Sequence, residues 1–532
     1  MKTPANVFIV ILLTQLCIFL FVMLRPNFIA PPDRTYSVIG ENFFYPSIIR
    51  QAKDGAWRII DSQTTRPTPK VFGYVFFILA GKVAALFNTD PLVMYQLLRI
   101  TGGVAVMCAT YWLITLIVPV GAQTFALIFT LALETAPVLT DVFTKPLFTW
   151  SAVSPTQEII LKHFSLPHHL WGEAIGLALI CLIFLTIKKS SPLKLLLIVA
   201  LGFLGTNTLP SYFVIIGGCL FVPWIIYSFF TGELKQTIIP IALASVAIGL
   251  AGLFVQLEFA KGSPWNTAAA VEKSWWTTDM VLTPFLKGLS LFYPFVLLLL
   301  ISLPLSWKTW NKHTKQTALL ATAWTILPVG LIYVSAIPWF PIANGRIATD
   351  VSNVPIGILS ALGMWSCIRF IRSTHIQRLV SAISICVILC ASAVLSISYL
   401  RNVLTAQEQI IWTVYPTKLT WESVLALNNV PVNSGILVLP AYGEIIPGAA
   451  NVRTFIGGPH GFLDWIERRA LAERFFTGTM DTQTAKEMLR TNDISYVFWS
   501  AQEQQLTVTP DLYPDLLDIY RKNTDVTIYK VK

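Results

Sequence analysis

The sequence predicts a polytopic α-helical membrane protein of about 11–13 spans with a small extracytoplasmic α/β domain at its C-terminal end. Three observations predict it. Of 532 residues, 55% are hydrophobic and only 12% charged, about half the charged share of a soluble domain. Mean hydropathy is +0.64, and 17 Trp and 33 Phe demand burial, which excludes a disordered or fibrous chain. The net charge of +10 is also unevenly placed: residues 1–400 hold 26 Lys+Arg against 14 Asp+Glu, and residues 401–532 hold 12 against 14. That split separates a basic membrane body, 1–400, from a near-neutral domain, 401–532. The positive excess is loop charge that sets orientation, so it gives no reason to invoke nucleic acid. All seven cysteines fall inside apolar runs, so neither a disulfide framework nor a Cys-rich metal site is on offer.

A span needs about 20 apolar residues. Residues 7–24 supply the first, preceded by Lys2 and followed by RPNFIAPP rather than a small-residue cleavage site, which reads as a retained anchor. Further runs lie near 71–87, 100–119, 122–139, 172–187, 195–206, 211–230, 237–257, 285–305, 317–337, 352–368 and 379–399. The connections KKSSPLK, GELKQ, WKTWNKHTK and RFIRSTHIQR are short and basic, hence cytoplasmic, with the N-terminus on the same side. The long aromatic and polar loops, together with the C-terminal domain, then face outward. An inside N-terminus and an outside C-terminus require an odd number of crossings. One segment between 71 and 168 is therefore expected to be a half-helix, a re-entrant piece or an additional span, with 122–139 or 147–153 in view.

Loops on a helical scaffold are where binding and chemistry usually sit. In the first external loop, 25–69, Phe44, Ile48 and Ala52 recur every four residues opposite Arg50, Lys53 and Asp54. The spacing predicts an interfacial helix stopped at Gly55. Asp33 and Glu41 precede it; either carboxylate suits a general base or a ligand to a divalent cation, and either suits a solvated loop acid or a helix cap. The second external loop gathers His163, His168 and His169 near Glu158 and Glu173. Their spacing matches no zinc signature; they suit a polar pocket, a phosphate site or interfacial anchors. A third loop carries Trp265, Trp275 and Trp276 beside Glu272, Lys273 and Asp279, fitting an aromatic belt or a stacking platform for sugar or polyprenyl groups. A fourth places Arg346 and Asp350 just before a span, where Arg346 offers a forked cation for a phosphate or pairs with Asp350. The glycines at 456–461 read as a turn, and no nucleotide-binding, nucleophile-elbow or zinc-protease motif is present.

In the last 130 or so residues, 435–440, 494–500 and 525–531 read as strands. Residues 462–476, 481–492 and 509–523 read as helices, the second capped by Asp481.

The order of these parts resembles the GT-C superfamily of membrane glycosyltransferases, and within it a bacterial, mannosyltransferase-like group. The stretches that carry the resemblance are YPSIIRQAKDGAW with the following TT-x-P-x-P, LVMYQLLRI, LKHFSLPHHLWGEAIGLAL, IPWFPIANGRIATDVSNVPIGILSALG, VRTFIGGPHGFLDWIERRALAERFF, EMLRTNDISYVFW and TIYKV. Residues 200–330 match in hydropathy only. The resemblance implies inverting transfer of a hexosyl or pentosyl group from a polyprenyl-phosphate donor to a glycan, lipid or protein acceptor outside the cytoplasmic (inner) membrane. It implies an acid in the first loop as base or metal ligand, with Mg or Mn as the cation. Glu41 stands where an Asp is expected, and Asp33 is the other choice. Arg346 would face the lipid phosphate. Tyr45, His163, His168, His169, Asp350, Trp275 and Trp276 would line the substrate site. Two other classes stay open: a lipid or solute transporter, although no internal repeat is visible, and a non-catalytic scaffold of an envelope complex, compatible with Glu in place of Asp.

Overall fold

The computed structural model describes residues 4–24, 44–131, 166–275, 292–337, 340–405, 416–458, 464–508 and 512–532, together with 278, 281, 282, 286 and 289. The apolar runs become helices α1 (Pro4–Leu24), α3 (Val75–Leu86), α4 (Pro91–Ile117), α5 (Val120–Leu131), α6 (Pro167–Lys188), α7 (Pro192–Thr208), α8 (Pro210–Phe230) and α9 (Leu234–Phe259), then α11 (Tyr293–Thr309), α12 (Lys312–Ser335), α14 (Val354–Arg369) and α15 (Thr374–Thr405). Three short helices lie between them: α2 (Phe44–Lys53), α10 (Ala268–Trp275) and α13 (Asn344–Thr349). Among the described residues, α4, α6, α8, α9 and α12 are each long and apolar enough to cross a membrane. The protein is a multi-pass membrane protein. Leucines 250, 253, 297 and 300 on α9 and α11 point outward with more than half their surface exposed, as side chains solvated by lipid do.

The run at 71–87 gives a helix shorter than a span. Helix α3 has 12 residues, which at 1.5 Å per residue rise only about 18 Å against a hydrocarbon core of about 30 Å. Its N-cap Tyr74 has a left-handed backbone and its C-cap is Phe87, so it cannot be extended at either end. Helix α5 has the same 12 residues over the described part of the run 122–139, and the other segment in view is 147–153. The latter stretch lies outside the described residues.

The chain divides into two compact units. The first comprises Met1–Phe21, Arg99–Gln256 and Lys273–Thr405; the second comprises Val22–Leu98, Leu257–Glu272 and Ala406–Lys532. The core of the first is built from Phe125, Phe129, Leu179, Ile183, Phe213, Trp224, Leu359 and Leu362, all nearly inaccessible. Helix α8 contains one π-helical stretch, Ile216–Phe221.

The second unit holds α16 (Lys418–Ala426), β1 (Gly435–Leu437), α17 (Pro440–Ala449), β2 (Arg453–Thr454), α18 (Trp465–Phe476), α19 (Thr482–Thr491), β3 (Tyr496–Trp499), α20 (Ala501–Leu506), β4 (Leu517–Lys522) and β5 (Thr527–Val531). The sheet order is β2-β1-β3-β5-β4, parallel from β2 to β3 and antiparallel beyond. Residues 517–522, read above as part of a helix, are a strand. Leu517 to Lys522 pair with Val531 to Thr527, and cross-strand bonding outweighs the weak helical preference of LDIYRK. Asp481 caps α19 by accepting from the Thr484 amide at 2.9 Å.

The helix expected at 44–53, α2, is present, with its apolar face inward: Ile48, Ile49 and Ala52 are fully buried. It rests on α3, where a Cβ at Gly81 would lie 2.5 Å from the Ile49 carbonyl oxygen and from Ala52 Cβ. Arg50 donates to the carbonyl oxygens of Gly448 and Ala449 at 3.2 and 2.8 Å, the negative end of α17. Between α2 and α3, Ile59 and Val71 bridge and close a loop whose residues Asp61 to Thr65 are at most 6% exposed.

Asp61 is the costly member of that loop. Burial pushes its carboxyl up to about 6, against the Gln63 amide and the charge of Arg468, both of which favour the ionised form. Arg468 is itself pulled down to about 10 by burial, so desolvation exceeds mutual attraction for both partners. A carboxyl whose folded pKa is raised loses stability as pH rises from its unfolded value near 4 through 6, by roughly 3 kcal/mol at full ionisation. Asp61→Asn keeps the oxygen that accepts from Gln63. It is expected to stabilise the protein at pH 8 by roughly 1–3 kcal/mol and to change it little at pH 4. Thermal unfolding in detergent at the two pH values checks this, and equal shifts at both would contradict it.

Candidate functional site

Proline opens several helices of the first unit at or next to their first residue, among them α6 (Pro167), α8 (Pro210) and α14 (Pro355). Its fixed φ and missing N–H suit that position. The side chains just inside these starts meet. From α6 come His168, His169 and Glu173; from α8, Ser211 and Tyr212; before α14, Asp350, Ser352 and Asn353. All eight are at most 8% exposed.

Asp350, which ends α13, organises the group. His169 Nδ1 lies 2.8 Å from its Oδ1, and the Ser211 hydroxyl donates to its other oxygen. The Ser352 hydroxyl donates to Glu173 at 2.7 Å and accepts from the Val354 amide at 3.2 Å, which ties α6 to the first turn of α14. The rings of His168 and His169 are 4.3 Å apart. Tyr212, 1% exposed, stands beside Ser352 and in the field of Glu173 and Asp350. Arg346 on α13 is half-buried and acts electrostatically on His168. Ahead of α13, Lys273 donates to the carbonyl oxygens of Ile337 and Phe340 at 2.8 and 2.5 Å. Burial lowers the pKa of that ammonium. Ionisable groups inside apolar helices are expensive, and here they are gathered beside one another and beside Ser211 and Ser352 rather than spread out.

Of the residues singled out in the sequence, His168, His169, Arg346 and Asp350 come together, with Glu173 beside them. Tyr45 belongs to the second unit, where its ring stacks on Phe77 at 4.4 Å. Trp275 is the last residue of α10. Asp33, Glu41, His163 and Trp276 lie outside the described residues. Ser211, Tyr212, Ser352 and Asn353 were not foreseen. The polar breaks TNTLPSY and DVSNVP between apolar runs are the signal that would have found them. Among the described residues no group of three or more His, Cys, Asp and Glu side chains is arranged to hold a metal ion.

The close approach of α6 and α8 depends on glycine. A Cβ at Gly172 would strike Leu209, and one at Gly176 would come within 2.5 Å of the Tyr212 ring and 2.7 Å of Ile216. Small residues at such a crossing are the usual means of tight packing in membranes.

The fold is that of the GT-C membrane glycosyltransferases. An oligosaccharyltransferase from Archaeoglobus fulgidus, solved in complex with Zn and sulfate, has 12% identity and a TM-score of 0.51, covering 98% of this chain and 73% of that one. ArnT from Cupriavidus metallidurans, bound to undecaprenyl phosphate, has 10% identity and a TM-score of 0.54, covering 98% and 97%. The arabinofuranosyltransferase AftD from Mycobacteria has 12% identity and a TM-score of 0.54 over 98% of this chain, which corresponds to 40% of AftD. No protein-family model and no curated protein matches the sequence. At these identities the likeness establishes the fold.

Gly176→Leu is expected to force α8 away from α6 and to destabilise the protein by about 1–3 kcal/mol. Gly252→Ala on α9, where an added Cβ meets nothing within 4 Å, is expected to be neutral or stabilising by up to about 1 kcal/mol. Thermal unfolding of both variants in one detergent reads the difference, and similar losses for the two would refute the packing argument.

Proposed function

We propose that this chain is a membrane glycosyltransferase. It transfers a hexosyl or pentosyl group from a polyprenyl-phosphate-linked donor to a glycan, lipid or protein acceptor, with inversion, on the outer face of the cytoplasmic membrane. The observation that carries this reading is the buried cluster of two histidines and two carboxylates, with Arg346 beside it, inside a GT-C fold. Such a cluster in an apolar body is a functional candidate by default. That ArnT has been solved with undecaprenyl phosphate supports the donor class.

In the proposed reaction a first-loop carboxylate, Glu41 or Asp33, accepts the proton of the acceptor hydroxyl. The hydroxyl oxygen attacks the anomeric carbon opposite the phosphate, and the anomeric carbon–oxygen bond breaks with its electron pair leaving on the lipid phosphate. Because the leaving group is already a phosphate, little further activation is required. Arg346 balances the charge that develops there, and a forked cation suits it. His168, His169 and Asp350 line the donor side; Tyr45, Trp275, Trp276 and His163 contribute to sugar or acceptor binding. The described residues do not fit a divalent cation, so no step is routed through one. In the proposed orientation the N-terminus is cytoplasmic and residues 401–532 are outside.

The test is donor consumption by the purified protein in nanodiscs, offered a panel of polyprenyl-phosphate hexoses and pentoses. Wild type is expected to release polyprenyl phosphate. Either Glu41→Gln or Asp33→Asn should lower turnover by about 10²–10⁴-fold, the usual share of general base catalysis, and Arg346→Ala should raise the donor KM. A panel left intact by wild type, or consumption that survives both carboxylate changes, overturns the reading.

A further inference from the structure

We propose that Arg468 is a positioning residue: it fastens the strap 61–66 to the α/β fold of the second unit and so fixes the first external loop from which the reaction draws its base. The catalytic part of this inference rests on the function proposed above; the fastening does not.

The sheet ends at β2, and an open strand edge exposes unpaired backbone groups. The strap covers that edge. The Thr454 amide donates to the Ser62 carbonyl oxygen at 3.0 Å, and the Arg453 guanidinium donates to the Thr65 carbonyl oxygen at 2.6 Å. Gln63 accepts from the Gly458 amide at 3.3 Å, and Arg66 pairs with Asp464 at 2.5 Å. Two glycines make room: a Cβ at Gly457 would lie 2.6 Å from Gln63 Cβ, and one at Gly435 would lie 3.0 Å from Thr65 Cγ2.

Arg468 differs from Arg453 and Arg66 in burying its charge. It projects from α18 and is 4% exposed. One nitrogen donates to Thr64 Oγ1 at 2.8 Å and another donates to the Phe455 carbonyl oxygen, while the guanidinium lies 4.6 Å from the centre of the Phe455 ring. A single side chain thus spans the strap, the residue after β2 and α18. Thr64 in turn accepts from the Arg66 amide at 3.1 Å, which holds the turn that follows. A buried guanidinium stripped of water is stable only where its hydrogen-bond partners are fixed. The strap therefore has one seat here, and losing that seat frees a segment directly downstream of α2, which Arg50 fastens to α17. The described part of the first external loop is thus held to the α/β fold through Arg50 on α2 and through the contacts of the strap, among which Arg468 is the buried cation.

The experiment uses the full-length protein in nanodiscs and compares Arg468→Met, Arg468→Lys and Thr64→Val with Arg469→Ala, an exposed neighbour paired with Glu473. Hydrogen exchange is read at 59–71 and, as an internal control, at β3 and β5; kcat and KM are read from donor consumption. Arg468→Met is expected to speed exchange in the strap at least tenfold with β3 and β5 unchanged, and to lower kcat at least tenfold with the donor KM within twofold. Arg468→Lys should recover part of both, and Arg469→Ala should change neither. If Arg468→Met fails to fold, Thr64→Val removes one acceptor alone and should produce the same pattern at smaller amplitude. Unchanged strap exchange in the folded variants overturns the inference. Faster exchange with kcat intact overturns the positioning role and leaves glycosyl transfer standing. A wild type that consumes no donor defeats the functional reading, while exchange still decides whether Arg468 fastens the strap.

Discussion

One carboxylate, Asp350, sets the arrangement of the first unit's polar centre. A charge inside an apolar body is tolerated only when every nearby partner is committed to it, and Asp350 has drawn in two: His169 from α6 and Ser211 from α8. Those partners sit within three residues of the prolines that open their helices. The starting point of each helix thereby fixes which side chains reach the carboxylate. The Glu173–Ser352 pair repeats the device between α6 and α14. Helix packing supplies the rest, since the α6–α8 crossing closes only because Gly172 and Gly176 carry no side chain.

The two units solve the problem of buried polarity differently. In the first, side chains of apolar helices satisfy one another. In the second, a strap of five consecutive polar residues is satisfied largely by backbone groups and arginines of the α/β fold. Neither solution is complete: in the first unit both polar atoms of the Asn353 side chain keep no hydrogen-bond partner among the described residues. In the second, Ser62 and Thr65 keep hydroxyl oxygens with no hydrogen-bond partner, and Asp61 and Arg468 are both shifted against their charged forms. That imbalance is the cost of burying a guanidinium as the fastener.

Much of this was legible in the sequence, because the controlling pattern is hydropathy. Each of the twelve apolar runs holds a helix among its described residues, and the four-residue recurrence of Phe44, Ile48 and Ala52 gave α2 its buried face. Strands β1, β3 and β5 and helices α18 and α19 lay where β-rich runs and an Asp cap put them. Two readings failed for identifiable reasons. Residues 75–86 are apolar enough for a span but stop at 12 residues, and length is decided by backbone geometry at Tyr74 that composition does not reveal. Residues 517–522 have no strong propensity of their own and took their state from β5. In the polar centre, histidine, arginine and aspartate stood out because they are rare in such a chain. Serine and tyrosine did not, because they are ordinary in membrane helices until a partner is seen.

The strap also dictates an order of events in biosynthesis. Arg468 and Thr64 are separated by 404 positions, and Arg453 and Thr65 by 388. Residues 61–65 thus leave the ribosome with Asp61, Gln63 and Thr64 hydrated and the partners they are shaped for not yet made. At 5–20 residues per second, a common rate of elongation, that interval is on the order of 20–80 s. The polar sequence DSQTT suits the wait: it stays solvated and offers little to aggregation while the membrane helices insert. The α/β fold therefore closes around a segment made about 400 residues earlier.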